Sequence, residues 1–357
     1  MGRARELAEL ATGYDAGALQ FRNRIINGDM RIDQRNAGAT ISGGTGAYSV
    51  DRWNSAFAQA GKFNYGQSTT APSGFTNSLL HTVAAAYTSG ASDYFLVQHY
   101  IEGLNVADLA FGTASASTIA VSFKVRSSVT GTYSVAITNG ADNRAYVTTF
   151  TVNSANTFED KTVVIPGDTS GTWLTNNGKG ISVKFDLGSG SNYVAASTNT
   201  WVSTNTFKAS GSVSLVANSG ATFYITGVQL EVGSVATPFE RRPYGTELAL
   251  CQRYLPAFTG TGFLGSGISS STTSGEAFIN FLTETRVAPT GISVSAGSDF
   301  SLNDRVSNFN ASAVAFGSAT TKSSNIVITT TGLTQYRTYY AIGLNSTSKL
   351  LFTGCEL

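Results

Sequence analysis

Residues 119–126 read IAVSFKVR, and this stretch decides the fold class. The large apolar side chains Ile119, Val121, Phe123 and Val125 occupy every second position, and smaller or polar residues lie between them. Successive side chains of a strand point to opposite faces of its sheet. The pattern therefore predicts a strand with one buried face and one solvent-facing face.

The same alternation recurs along the first 240 residues. It appears at residues 133–137, 181–187 and 223–225, and Asn-Gly or Ser-Gly pairs mark turns between such runs. Helical periodicity is almost absent from this part of the chain. We therefore predict an all-β protein whose larger domain, residues 22–243, is an antiparallel jelly-roll sandwich.

Two local features support a sandwich. Residues 225–232 have the apolar pattern of a closing strand, with Gly227 predicted to form a bulge. Asp51, Arg52 and Trp53 are predicted to form a buried polar-aromatic corner, in which an arginine pairs with a carboxylate beside an indole.

Three shorter segments complete the predicted domain organisation. Residues 1–21 are predicted to contain a short helix whose apolar stripe includes Leu7 and Leu10. This helix could be a peg for docking or trimerisation, or it could fold back on its own domain. Residues 244–258 form a linker helix, with TELALCQRY starting at a capping Thr246. Residues 259–357 form a second, smaller β-sandwich, which opens with a Gly/Ser/Thr-rich loop over 259–275.

The composition argues against several classes of protein. The 23 basic and 22 acidic residues leave a formal charge of +1, which gives no field to hold a nucleic acid. No apolar run is long enough to span a bilayer, and the charged start MGRARELAEL is unlike a signal peptide, so we expect neither membrane insertion nor secretion. Cys251 and Cys355 are predicted to be reduced thiols rather than a disulfide or a zinc site.

Catalytic patterns are weak, and we predict that the chain is not an enzyme. Gly260, Gly262 and Gly265 spell GxGxxG, but they run into Ser, Thr and Gly instead of opening a helix, so we interpret them as a loop. The two histidines, His81 and His99, are flanked by hydrophobic and aromatic residues, which favours packed or surface positions over a metal site or a nucleophilic site. Carboxylate pairs suited to glycoside cleavage, such as 159–160, are adjacent only in sequence.

Three stretches together carry a resemblance to a known family. They are NRIINGDMRIDQ at 23–34 followed by YSVDRW at 48–53, ITGVQLEVGSVATPFERRPY at 225–244, and RVAPT at 286–290 with the final LFTGCEL. In this order they resemble tail fibre or tail proteins of tailed bacteriophages, whose larger domain is similar to a carbohydrate-binding-module jelly roll.

The resemblance implies a structural protein on the surface of the phage particle, assembled in the host cytoplasm. Its partners would be other virion proteins, further copies in a homotrimer, and a glycan of the host surface. A tail fibre or similar appendage is the first hypothesis, and a capsid decoration or head-fibre protein is the alternative. A glycan-cleaving tailspike enzyme is less favoured, because the catalytic pattern is missing.

Sugar recognition requires exposed aromatic rings beside amides and hydroxyls. The candidate ligand-binding residues are Trp173, Asn176, Asn177, Tyr193 and Trp201, although each ring could instead cap a sandwich edge or a trimer contact. Related sugar-binding jelly rolls often hold calcium between their first and last strands. Here Asp29 and Asp33 would supply the early half, but Thr226 and Gln229 stand where a carboxylate is wanted, so we expect neither calcium nor another cofactor.

Overall fold

The computed structural model of the chain describes residues 21–357. The described chain divides into two compact units, the first ending at Arg242 and the second running from Pro243 to Leu357. Strands in both units pair in antiparallel fashion, which confirms the predicted all-β class. The predicted docking helix with Leu7 and Leu10 lies outside the described residues.

The first unit is a sandwich of two six-stranded sheets. Its strands are β1 (Ile41–Ser42), β2 (Trp53–Phe57), β3 (Phe63–Ser68), β4 (Ser78–Val83), β5 (Phe95–Glu102), β6 (Ile119–Ser127), β7 (Gly131–Asn139), β8 (Ala145–Val152), β9 (Glu159–Ile165), β10 (Lys179–Asp186), β11 (Trp201–Val202) and β12 (Thr222–Val232). Short 3-10 helices lie at Gly103–Asn105, Ala107–Leu109, Ser191–Tyr193 and Leu215–Ala217. The first sheet has the order β1-β3-β4-β12-β6-β9, and the second sheet has the order β11-β8-β7-β10-β5-β2.

The core of this unit lies between the two sheets. The alternating apolar residues of β6 are buried as predicted, and Phe123 on β6 contacts Phe185 on β10 of the opposite sheet, with ring centroids 5.0 Å apart. Burying each such side chain stabilises the fold by about 2 kcal/mol. Strict alternation on β6 and β10 therefore fixes which face of each sheet points inward.

The segments that carry the family resemblance at 23–34 and 225–244 bind each other along the second half of β12. The Asn23 side chain accepts a hydrogen bond from the Leu230 amide at 3.1 Å, 207 positions away, and donates one to the Val228 carbonyl. The Arg242 guanidinium donates to the Ile25 carbonyl at 3.2 Å. These side chains form hydrogen bonds with backbone groups that have no partner in a neighbouring strand. The residues that carry this part of the resemblance therefore have a structural role.

Gly227 forms the predicted bulge in β12. The register between β12 and β6 shifts between Thr226 and Gln229, and Gly227 adopts φ +61°. A Cβ at this position would lie 2.8 Å from the Cζ atom of Phe75. Only glycine fits both the left-handed backbone and the close ring.

The polar-aromatic corner at Asp51, Arg52 and Trp53 is buried as predicted. The Arg52 guanidinium donates to the Tyr100 carbonyl at 2.6 Å, and the Trp53 indole donates to the Asn27 carbonyl at 3.0 Å. The corner therefore joins β5 to the start of the first unit.

The second unit is a smaller sandwich, as predicted, made of a seven-stranded and a three-stranded sheet. It contains one α-helix, α1 (Tyr244–Gln252), a 3-10 helix at Gly297–Asp299, and strands β13 (Ala257–Thr259), β14 (Gly262–Ser269), β15 (Ser274–Asn280), β16 (Gly291–Val294), β17 (Phe300–Asn303), β18 (Asn308–Asn310), β19 (Ala313–Ala319), β20 (Ser323–Thr329), β21 (Thr338–Gly343) and β22 (Lys349–Thr353). The orders are β18-β17-β21-β14-β15-β20-β19 and β13-β22-β16. Residues of both sheets, including Ile326 and Phe352, share one core.

Helix α1 begins two residues before the predicted start, and Thr246 is not its cap. Pro243 is the N-cap residue, with an extended backbone, and its carbonyl accepts the Glu247 amide at 3.1 Å. Proline lacks an amide hydrogen, which makes it well suited to the start of a helix. The helix falls within the second unit, Pro243–Leu357.

The predicted loop over 259–275 is wrong, because most of it forms β14 and the start of β15. Pairing with β15 and β21 overrides the weak strand propensity of its glycines. A Cβ on Gly267 would lie 1.7 Å from the Glu276 carbonyl oxygen, so glycine allows the close approach of the strands.

Candidate functional site

The second sheet of the first unit has a face directed away from the sandwich core. On its central strand β10, Val183 and Phe185 belong to the core. Ser182, Lys184 and Asp186 alternate with them and therefore lie on the opposite face, which we call the outer face.

Two in-register rows of residues cross strands β7, β10, β5 and β2 on the outer face. The first row is Thr138, Ser182 and Tyr100, and the second is Ala136, Lys184, Gln98 and Asn54. Polar side chains on the central strands of a sheet are costly to bury unless they are paired. Their presence here distinguishes this face from the apolar core face of the same strands.

A charged cluster holds both rows to the loop after β7. Asp142 accepts hydrogen bonds from Lys184 at 2.8 Å, Lys179 at 3.1 Å and the Thr138 hydroxyl at 2.7 Å. Burial acts to raise the pKa of Asp142, but the two ammonium groups and the hydroxyl lower it below its ordinary value. The carboxylate is therefore ionised at neutral pH and acts only as a hydrogen-bond acceptor.

Tyr100 supplies an aromatic ring beside this cluster. Its side chain is half-buried, and the Lys179 ammonium lies 4.9 Å from the ring centroid. Burial, followed by the charge of Asp142, raises the pKa of Tyr100 to about 12, so the hydroxyl stays protonated. Beside it, the Gln98 side chain donates to Asn54 at 2.9 Å.

A small apolar cluster covers the other end of the outer face and includes the predicted Tyr193. The Tyr193 ring stacks on Phe207 at 4.5 Å, and its hydroxyl donates to the Ser92 carbonyl. Tyr94 lies edge-on at 6.2 Å and is 37% exposed. The cluster's buried members are Leu96, Ala136, Val147, Ala195, Phe207 and Ala209.

Ser182 occupies the middle of the first row with an unsatisfied hydroxyl. Its Oγ is buried and has no hydrogen-bond partner among residues 21–357. Buried polar groups are nearly always paired, so an unpaired one requires an explanation.

Trp173 and Trp201 lie together elsewhere, at the β11 edge of the sheet. Their rings are 5.4 Å apart, and both pack edge-on against Phe111. Trp173 is buried, unlike the exposed ring expected for a sugar contact, and its indole nitrogen donates to Asp168 at 3.2 Å. This arrangement matches the alternative interpretation, in which the rings cap an edge of the sandwich.

Asn176 and Asn177 are exposed in the turn before β10. The Asn176 side chain accepts a hydrogen bond from the Gly178 amide at 2.9 Å, and its carbonyl accepts the Leu104 amide. Asn176 therefore shapes the turn.

The four residues considered for calcium all have partners within the protein. Asp29 pairs with Arg31, and Asp33 accepts the amides of the turn that follows it. Thr226 donates to the Asn77 carbonyl at 2.8 Å, and Gln229 donates to Glu231 at 2.8 Å. Within residues 21–357 no group of three or more His, Cys, Asp or Glu side chains is placed to hold a metal ion.

Of the packed and surface positions expected for the histidines, the structure shows packed ones. His81 contacts the Ser55 hydroxyl at 2.8 Å and stacks on Tyr65, and His99 packs edge-on against Trp53. Ser55 and His81 are both fully enclosed, so their contact gives no accessible nucleophile.

The neighbouring acids Glu159 and Asp160 also have structural partners. Glu159 pairs with Lys161 at 2.6 Å, and Asp160 pairs with Lys124. Burial opposes the change, but Lys161 and the groups of 153–154 lower the pKa of Glu159 to about 2. An acid with a lowered pKa is unsuited to protonate a leaving group.

Sequence reasoning named one residue of this region, Tyr193, and missed the two polar rows. A signal was present, because β5 and β10 place Gln98, Tyr100, Ser182 and Lys184 at alternate positions opposite apolar core residues. Polar groups at alternate positions on two strands that pair with each other indicate a functional face, but their pairing is visible only in the fold.

Comparisons with known proteins were made for the sequence and for the structure. No protein-family model and no curated protein sequence matches the chain. Solved structures with similarity include the enzymatically active domain of bacteriophage CBA120 tailspike protein 4, with 11% identity and a TM-score of 0.30. The matched region covers 59% of this chain and 22% of that one.

Carbohydrate-binding modules are also among the similar structures. The family 11 module of Clostridium thermocellum, in complex with a β-1,3-1,4-mixed-linked tetrasaccharide, has 12% identity and a TM-score of 0.28 over 55% of this chain and 99% of that one. The C-terminal family 22 module of Clostridium thermocellum Xyn10B has 15% identity and a TM-score of 0.29 over 56% and 99%. Within the described residues no helix has the length and apolar character to cross a membrane.

Proposed function

We propose that the chain is a non-enzymatic glycan-binding protein and that the outer face of its first unit holds the glycan. The observation that carries this proposal is the meeting of Tyr100, Lys184 and Asp142 on one sheet face. A sugar ring stacks on an aromatic side chain, and its hydroxyls pair with charged and amide groups. The partly exposed ring of Tyr100 and the partly exposed carboxylate of Asp142 supply both kinds of contact.

A binding role suits this face better than hydrolysis. Its central carboxylate, Asp142, is ionised and engaged by two lysines, whereas glycoside cleavage requires one carboxyl group with a raised pKa and a second at a defined separation. Incubating the chain with the saccharide that it binds is expected to leave the saccharide intact by chromatography.

Glycan binding is tested by a matched pair of tyrosine variants. A glycan array identifies a saccharide, and calorimetry then measures its Kd for the wild type, for Tyr100→Ala, and for Tyr224→Ala. Tyr224 is the control because it is also half-buried beneath a cation, with Arg126 4.8 Å from its ring, but lies on β12 of the other sheet. We expect Tyr100→Ala to weaken binding about tenfold, and Tyr224→Ala to leave it unchanged. Equal effects of the two variants would reject the outer face.

We further propose that the chain works on the particle of a tailed phage, as a tail fibre or similar appendage for attachment to host glycans. The support for this is the ordered set of motifs at 23–53, 225–254 and 286–357. A homotrimer made in the host cytoplasm would join three weak glycan sites into one avid contact. Light scattering would then give a mass about three times the 37.3 kDa of one chain, and a monomer would contradict the trimer.

Cryo-electron microscopy of the phage that encodes the chain tests its position on the particle. Density projecting from the tail would support attachment to the host. Density on the capsid lattice would reject the appendage and favour capsid decoration, with particle stabilisation or weak surface adhesion as the role.

A further inference from the structure

The second unit has an open cavity on its seven-stranded sheet. Its volume is about 340 Å³, which is within the range of small-ligand sites. It lies where β14 and β21 pair, beside the turn that joins β17 to β18. The lining residues are Phe263, Leu264, Gly265, Ser266, Arg305 and Tyr340.

Two aromatic rings form the apolar part of this cavity. Phe263 and Tyr340 have ring centroids 5.5 Å apart at 71°, and Phe263 is 67% exposed. Leaving a phenylalanine ring in water forgoes the stabilisation that its burial would give. The exposed ring is therefore available to stack on a ligand.

Arg305 extends over both rings from the turn after β17. Its guanidinium carbon lies 4.9 Å from the Tyr340 centroid and 5.9 Å from that of Phe263. The backbone of Arg305 has φ +77°, a conformation unfavourable for a side chain of this size, and the Asn303 side chain holds its amide at 2.8 Å. The turn thus fixes the position of the cation.

The charge of Arg305 has no counter-ion in the described part of the chain. Within residues 21–357 its guanidinium forms neither an ion pair nor a hydrogen bond. The neighbouring carboxylate, Asp304, is committed elsewhere, because it accepts the amides of Val306 and Ser307 and pairs with Arg337 at 3.0 Å. An anion entering the cavity would therefore meet an uncompensated cation.

We infer that this cavity binds a saccharide unit bearing a carboxylate, such as a uronic acid. The sugar ring would stack on Phe263, and the planar guanidinium of Arg305 would pair with the two carboxylate oxygens. A single cation matches the single charge of a carboxylate better than the double charge of a phosphate. Because the cavity belongs to the second unit, the inference does not depend on the outer face of the first unit.

Two matched probes distinguish the contribution of the ligand's charge to affinity from the contribution of its sugar ring. Trigalacturonic acid and its methyl ester share the same sugar rings, but only the acid carries carboxylates. Calorimetry with the full chain is expected to show binding of the acid about fivefold tighter than the ester at low salt, because exposed ion pairs contribute up to about 1 kcal/mol. Added salt should reduce this difference by screening.

Three variants assign the effect to the cavity. Arg305→Gln should remove the preference for the acid, and Phe263→Ala should weaken the acid and the ester together. Val306→Ala is the control, since Val306 is 83% exposed in the same turn but does not line the cavity. Thermal unfolding of each variant checks that the unit remains folded.

Several results would overturn the inference. They are failure of both probes to bind, equal affinity of the wild type for acid and ester, and retention of the preference in Arg305→Gln. Light scattering could give a further contradicting result. If the chain self-associates, Phe263→Ala abolishes this self-association, and neither probe binds, then the cavity is a contact between copies of the chain.

Discussion

Lowering the pH from 7 to 5 is expected to destabilise the first unit through its two buried histidines. Burial lowers the pKa of His81 to about 3, and burial together with the nearby charges of Arg52 and Arg242 lowers the pKa of His99 well below its ordinary value. The Nδ1 atom of each ring is buried and has no hydrogen-bond partner among residues 21–357. Neither ring has an acceptor in place for a second proton.

The sign and size follow from proton linkage. In the unfolded chain a histidine titrates near pH 6.5, so below that pH the unfolded state binds a proton that the folded state does not. The stabilisation is complete above pH 6.5 and is lost as the pH falls below it. With a folded pKa of about 3, His81 alone removes about 1.9 kcal/mol from the free energy of unfolding between pH 7 and pH 5. His99 acts in the same direction.

Urea unfolding followed by tryptophan fluorescence measures this effect, since all three tryptophans lie in the first unit. His81→Gln cannot take up a proton in this range and should reduce the loss between pH 7 and pH 5 by about 1.9 kcal/mol. A free energy of unfolding that is the same at both pH values, or an unchanged slope in His81→Gln, would refute the reasoning.

Three further predictions concern packing and reactivity. Gly227→Ala should destabilise the first unit by about 2 kcal/mol in urea unfolding, because of its positive φ and the nearby Phe75 ring; Gly220→Ala, at φ +75° with open space around it, should cost less, and equal losses would contradict the steric argument. Asp168→Ala should cost about 3 kcal/mol, because it leaves the Arg144 guanidinium without its partner at 2.5 Å, and a loss near zero would contradict this. Cys251 and Cys355 should resist Ellman's reagent at pH 8 until the chain is denatured, because both are buried and burial raises the pKa of Cys355 to about 11; rapid labelling of the native chain would contradict it.

The strands of the first unit were predictable wherever one face is buried, because burial imposes the two-residue period seen at 119–126. The Gly227 bulge was predictable because glycine tolerates a left-handed backbone within a strand, and the burial of residues 51–53 was predictable from the indole beside a charged pair. Residues 259–275 were not, because the strand there is determined by partners at β15 and β21 rather than by its own glycines. Contacts between strands far apart in sequence decide such segments.

The candidate site was harder to predict than the fold. Trp173 stands in a polar loop sequence, which suggested exposure, yet Phe111 and Trp201 enclose its ring. The outer face depends on Lys184 and Tyr100, which are 84 residues apart in the chain and meet only through the pairing of β10 with β5. The register between these two strands cannot be predicted from the local sequence of either one.

The location of a bound neutral saccharide tests the central claim most directly. Hydrogen–deuterium exchange of the full chain, with and without the saccharide found on the array, compares protection strand by strand. The account predicts new protection in β5, β10 and the 138–142 turn, where Tyr100, Lys184 and Asp142 meet. Protection confined to the edge at 170–177 and 201–202, or to the second unit, would contradict it.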